Sequence, residues 1–217
     1  MVGRRILGVI GTLGAALLVP PDRALAAGSA YDHVFKSIDG TPLPLSTFRG
    51  QVVLVVNTAS LCGFTQQYRG LQAIYQTYEA RGFVVVGVPS NDFGGQEPKA
   101  EADVKSFCEG AFGVTFPLTA KYSVTGSSAH PFYQWAGAAL GTANRPLWNF
   151  HKYLVGRDGN VVAAFGTQTS PESPNVKAAI EAELAKPAPA AAPAPSGTGS
   201  IDNNRSTMTN KDRGDAG

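Results

Sequence analysis

Two cysteines, Cys62 and Cys108, are the only thiols in a chain of 217 residues. Cys62 follows a continuous apolar run, Val52-Val53-Leu54-Val55-Val56, and precedes Tyr68, Leu71, Tyr75 and Tyr78, which recur at helical spacing. It therefore falls in a short strand-to-helix loop, the place where an open α/β sheet presents reactive groups. Backbone N–H groups at a helix start favour the thiolate, and the thiolate is the nucleophile. A C-x-x-C dithiol needs a second cysteine at position 65, which is Thr65, so ordinary dithiol exchange is not the default chemistry. From position alone, Cys62 reads as a nucleophile, as an inert small core residue, or as half of a structural disulfide. Cys108 shares a helical stripe with Val104, Phe107 and Ala111, which predicts that it faces the core.

The elements that must hold these residues are legible around them. Residues 31–49 alternate around Asp39-Gly40 as a small N-terminal hairpin. The run at 51–57 is a central strand buried on both faces, the helix after it stops at Arg81-Gly82, and Phe83 to Val88 is a second β-branched run. Strand, helix, strand at this spacing is a parallel crossover. A short helix is expected near 128–138, and a hairpin of 149–155 with 161–165 around Gly156-Arg157-Asp158-Gly159. A closing helix is expected from Pro174 to Leu184. The predicted fold is α/β, a mixed sheet with one parallel pair, an antiparallel hairpin and helices on both faces.

Both ends differ from this middle. Arg4 and Arg5 precede an apolar run from Ile6 to Val19 and then Ala24-Leu25-Ala26, the pattern of a signal peptide over residues 1–26. The run falls short of the roughly 20 residues a membrane-spanning helix needs. Secretion or export to a periplasm is the expectation, and an oxidising compartment often pairs cysteines. A folded domain is expected over 27–186. Residues 187–217, Pro/Ala-rich and then rich in Gly, Ser, Thr, Asn and Asp, read as a disordered tail. The 18 basic and 16 acidic residues give a net charge of +2. Without Arg4, Arg5, Asp22 and Arg23 the rest is neutral and has no Lys/Arg cluster, so nucleic acid is not an expected partner. His33 and His130 show no metal-ligand spacing with the cysteines, and no cofactor or metal is implied.

Three stretches narrow the chemistry: residues 57–65 (Asn57 to Thr65), 89–98 (Pro89 to Pro98) and 148–155 (Trp148 to Val155). Together they resemble the three signature blocks of the glutathione peroxidase family, in order, and the resemblance covers about 31–184. It implies a thioredoxin-like fold, with Cys62 at the peroxide-reactive position and Gln96, Trp148 and Asn149 around it. Neutral amides and an indole N–H can stabilise a thiolate and the oxygen leaving the peroxide without competing for the proton. It further implies that Cys108 is a resolving cysteine. The short distance from Thr125 to Trp148 implies that the extra loop of tetrameric members is absent. The expectation is a monomer that reduces hydrogen peroxide and organic or lipid hydroperoxides, and is itself reduced by a thioredoxin-like protein rather than by glutathione.

The sequence departs from the family at Ser90, where a cysteine is frequent, and at Asp92, where a glutamine is frequent. His151, where a small hydroxyl residue is common, reads as structural or as a proton shuttle on the same strand face as Asn149. Two alternatives stand beside the peroxidase: a secreted domain stapled by a permanent Cys62–Cys108 disulfide, and a thiol-disulfide oxidoreductase, which Thr65 disfavours. If Cys108 is buried on its stripe, its helix must loosen for a disulfide to form.

Overall fold

A computed structural model describes residues 28–97 and 99–189. The expected signal peptide over 1–26 and residues 190–217 of the expected tail lie outside the described residues. Strands β1 (Val34–Lys36) and β2 (Pro42–Pro44) form the small N-terminal hairpin. The main sheet contains β3 (Val52–Thr58), β4 (Phe83–Pro89), β5 (Lys152–Val155) and β6 (Val161–Phe165) in the order β4-β3-β5-β6. β3 runs parallel to β4 and antiparallel to β5. Among the described residues the α-helices are α1 (Gln67–Tyr78), α2 (Glu101–Phe112), α3 (Pro131–Ala139) and α4 (Pro174–Leu184). This is the expected α/β architecture.

Two layers of core explain why β3 and β4 are apolar without interruption. Val52, Leu54 and Val56 pack on one face with residues of α1, α2 and α4, while Val53 and Val55 pack on the other with α3 and the hairpin. Burying each such side chain stabilises the fold by about 1.5–3 kcal/mol. Gly87 in β4 serves a close approach, since a Cβ there would lie 2.6 Å from the Leu118 Cδ2. That space lets Gly87 exchange backbone bonds with Pro117 and Thr119. α1 and the turn after it end at Gly82 with φ 86°, as its position predicts.

Two expectations are corrected. Trp148 to Phe150 form a turn, and β5 begins only at Lys152, because Phe150 adopts φ 62° and breaks the extended chain. His151 and Asn149 therefore do not share a strand face. On α2, Ala111 is exposed and only Val104 and Cys108 are fully buried, while Phe107 and Phe112 pack partly buried against the core. α2 also carries Gly110 in its interior, at a cost of roughly 1 kcal/mol relative to alanine, and ends at Gly113 with φ 63°.

Candidate active site

The loop between β3 and α1 folds around Thr65. The Thr65 hydroxyl accepts the Cys62 N–H at 3.0 Å and has the Cys62 carbonyl at 2.6 Å and the Ala59 carbonyl at 3.0 Å for its own proton. The residue that stands where a second redox cysteine would be is thus the clamp of the loop. It presents Cys62 at the rim of the core, with the Phe64 N–H directed at Sγ at 3.4 Å. Leu61, next in the chain, is exposed at 57%.

The Gln96 loop is built on Gly94 and Gly95, with φ 67° and 65°. Successive left-handed residues turn the chain back on itself at no Cβ cost. The Gln96 carbonyl accepts the Leu61 N–H at 3.0 Å, which locks this loop to the one that carries Cys62. The Gln96 Oε1 accepts from the Asn149 Nδ2 at 2.9 Å. That bond leaves the Gln96 Nε2 as a donor for chemistry. Asn149 is fully buried, and its carbonyl accepts from the Thr167 hydroxyl at 2.7 Å. Trp148 is 39% exposed and tilts against Phe93 with ring centroids 5.7 Å apart.

Asn57, at the end of β3, positions the third block. Its Nδ2 donates to the Trp148 carbonyl at 3.1 Å, its carbonyl accepts the Phe150 N–H at 2.6 Å, and its N–H donates to the His151 carbonyl at 3.2 Å. Lys152 is fully buried and donates to the Phe150 carbonyl at 2.6 Å, and burial pushes its amine down to about 7. His151 is buried beside it, and desolvation, reinforced by the Lys152 amine, pushes the imidazole down to about 4. The neutral ring packs edge-on against Tyr153, with ring centroids 4.7 Å apart.

Cys108 is free and fully buried, as Cys62 is free and buried, and both line the same apolar cluster. Burial pushes the Cys108 thiol up to about 11. The Tyr68 hydroxyl lies near the thiol and the Thr58 hydroxyl without a well-aligned bond to either. At the two departures, Ser90 is buried and donates its N–H to the Thr58 carbonyl. Asp92 accepts the N–H groups of Val124 and Thr125 at 2.6 and 3.0 Å, so it ties loops together. Among the described residues no group of three His, Cys, Asp or Glu side chains is arranged to hold a metal ion.

The glutathione peroxidase family profile matches residues 30–136, a span that holds Cys62, Gln96 and Cys108. The chain is 48% identical over 145 residues to the glutathione peroxidase-like peroxiredoxin gpx1 of Schizosaccharomyces pombe, covering 65% of this chain and 91% of that protein. The chain belongs to the glutathione peroxidase family. It is also 46% identical over 157 residues to the hydroperoxy fatty acid reductase gpx1 of a Synechocystis strain, covering 69% of this chain and 93% of that protein. With the thioredoxin/glutathione peroxidase BtuE of Escherichia coli it shares 41% identity over 180 residues, covering 73% and 98%. The crystal structure of Trgpx in its apo form superposes with a TM-score of 0.61 at 37% identity, covering 75% of this chain and all of that one. A thioredoxin-family thiol:disulfide interchange protein of Chlorobium tepidum superposes at 0.51 with 18% identity, covering 73% and 98%, a likeness of fold alone. As a member of this family the protein is a peroxidase with a thioredoxin-like fold.

Proposed function

We propose that this glutathione peroxidase-family protein is a thiol peroxidase in which Cys62 attacks the peroxide O–O bond, giving a sulfenic acid and water or an alcohol, and Cys108 then condenses with it to a disulfide. A thioredoxin-like dithiol reopens that bridge by exchange. The observation that carries this reading is the Cys62 loop, with a backbone N–H on Sγ and the Gln96–Asn149 amide pair locked beside it through Leu61.

A thiol held at about 11 is ionised to only about one part in ten thousand near pH 7. Cys108 thus becomes a competent nucleophile when α2, which packs on the core through Val104, Cys108, Phe107 and Phe112, loosens locally. Loosening supplies both reach and ionisation. For the substrate, exposed Leu61, Leu147 and Trp148 suit the apolar chain of a lipid hydroperoxide, and Leu147 also lines a cleft with Tyr133 and Arg145. The name of the Synechocystis relative supports that class, and the name of BtuE gives thioredoxin as a reductant beside glutathione. The protein acts as a monomer outside the cytoplasm, a reading supported by the short 125–148 segment and the leader-like residues 1–26.

The test is steady-state turnover of hydrogen peroxide and a fatty-acid hydroperoxide with either a thioredoxin system or glutathione as reductant. Thioredoxin is expected to support turnover at least tenfold faster than glutathione, and Cys62→Ser to abolish it, since a hydroxyl is a far poorer nucleophile than a thiolate. Turnover retained by Cys62→Ser overturns the assignment.

A further inference from the structure

Among the described residues the Arg145 guanidinium makes no ion pair. Asp32 borders a neighbouring cleft together with Arg145, but it accepts the Ser29 N–H at 2.7 Å. The Oδ2 of Asp92 is taken up by the Ser123 and Thr125 hydroxyls and the Val124 and Thr125 N–H groups. Arg145 is nevertheless held in place. A Cβ at Gly137 of α3 would lie 2.7 Å from the Arg145 Cγ and 3.1 Å from its Nε, so the stem lies across that helix where glycine leaves room. On the backbone, the Arg145 N–H donates to the Thr142 carbonyl at 3.3 Å, and the preceding Asn144 carbonyl accepts the Tyr153 hydroxyl at 2.7 Å. The cleft that Arg145 lines has a volume of about 620 Å³, the size that takes a small organic ligand. Val124, Ala129, Tyr133 and Leu147 give it an apolar wall, and Arg145 is the only charged residue of its lining. Two links tie this cleft to Cys62. Leu147 of the lining adjoins Trp148 and Asn149, and Asn149 bonds Gln96, whose carbonyl holds the Leu61 N–H next to Cys62. From the other side Asp92 bonds Val124 and Thr125 of the lining, while Phe93, next to it, packs on Trp148.

We propose that Arg145 binds the carboxylate of a free fatty-acid hydroperoxide whose chain runs along Leu147 and Trp148 to bring a mid-chain hydroperoxide to Cys62, an inference that rests on the thiol-peroxidase reading above. A guanidinium without a partner offers a carboxylate two parallel N–H donors, and the stem fixed on Gly137 lowers the entropy lost on binding. The spacing suits a substrate whose reactive group lies far from its charge. Three peptide units separate Arg145 from Trp148, so their Cα atoms are at most about 11 Å apart. An acyl chain spans such a gap, and exposed Leu147 and Trp148 cover its apolar surface. An esterified lipid hydroperoxide has the chain without the carboxylate and gains nothing from Arg145. Glutathione also carries carboxylates, but it has two of them and an ammonium, and the lining holds neither a second cation nor an acid to match them. One cation at the end of an apolar wall fits a single carboxylate on a hydrocarbon chain.

The test is Arg145→Met, which keeps a stem over Gly137 and removes the charge, with Arg145→Lys beside it. Each reduced protein is mixed with linoleic acid hydroperoxide, its methyl ester or hydrogen peroxide, and the loss of the Cys62 thiol is followed by quenching and alkylation. Hydrogen peroxide has neither chain nor carboxylate, so the readout is each lipid's rate constant divided by that for hydrogen peroxide in the same protein. In Arg145→Met the ratio for the free acid is expected to fall about tenfold, the scale of one charge-assisted hydrogen bond. The ratio for the methyl ester should stay within about twofold, the range of an ordinary surface substitution. Arg145→Lys, which keeps the charge without the fork, should fall between wild type and Arg145→Met for the free acid. Added salt should lower the free-acid ratio in wild type and not in Arg145→Met. A free-acid ratio that Arg145→Met leaves unchanged, or an equal fall for acid and ester, overturns the proposal. A wild type whose Cys62 hydrogen peroxide does not oxidise refutes the peroxidase reading instead, which separates the two failures.

Discussion

Lys152→Met should invert its effect on stability between neutral and alkaline pH. The buried amine falls from an ordinary 10.5 to about 7, which corresponds to roughly 4–5 kcal/mol disfavouring the charged form in the fold. Between about pH 7 and 10.5 the unfolded chain holds the proton that the folded chain has released, so stability rises with pH across that window. Below pH 7 the penalty is present in full. Methionine fills similar volume without charge and leaves the Phe150 carbonyl, now bonded at 2.6 Å, without its donor, a loss of about 1–3 kcal/mol. The variant is therefore expected to be more stable than wild type by about 1–3 kcal/mol at pH 7 and less stable by about 1–2 kcal/mol at pH 10. Urea unfolding of both proteins under reducing conditions at the two pH values measures the difference, in which groups common to both cancel. A difference of the same sign and size at both pH values refutes the reasoning.

His151 predicts the acid side: its pKa lies at about 4 in the fold, so the unfolded chain takes up a proton first as pH falls from 6.5, and wild type loses up to about 3 kcal/mol by pH 4. His151→Met should remove most of that loss, as read from unfolding midpoints at pH 7 and 4. Asn149→Ala leaves the Gln96 Oε1 without its donor and should slow Cys62 oxidation about 100-fold in a single-turnover experiment with the fold intact. Oxidation at the wild-type rate removes the amide pair from the chemistry.

The strands and helices were legible because their patterns are dictated by burial. The uninterrupted valines of β3 and β4 need two covered faces, and the closing helix Pro174–Leu184 was bounded correctly from its sequence. The turn at Trp148 to Phe150 was not legible, because nothing in a Trp-Asn-Phe run announces a left-handed phenylalanine, and the carbonyl and amide of Asn57 that hold it come from another strand. The pairing of Gln96 with Asn149 is likewise a product of topology, since the two residues are 53 positions apart. Thr65 could be read only as a missing cysteine, whereas its hydroxyl organises the loop. Glu97 adjoins Gln96 in the chain, yet its total burial and its bonds to Ser60 exist only in the fold. A glutamate in a glycine-rich loop ordinarily reads as exposed.

The central claim is that Cys62 and Cys108, both free and buried in the reduced protein, join in every catalytic cycle. Adding one equivalent of hydrogen peroxide to the reduced protein and mapping its peptides by mass spectrometry tests this directly. The account predicts a Cys62–Cys108 disulfide that appears with peroxide and disappears with thioredoxin, while Cys108→Ser stops at a Cys62 sulfenic or further oxidised acid. The reduced wild type should stay folded throughout. A bridge that is present before peroxide and whose reduction lowers the melting temperature by many degrees contradicts the account, for that is the behaviour of a structural staple.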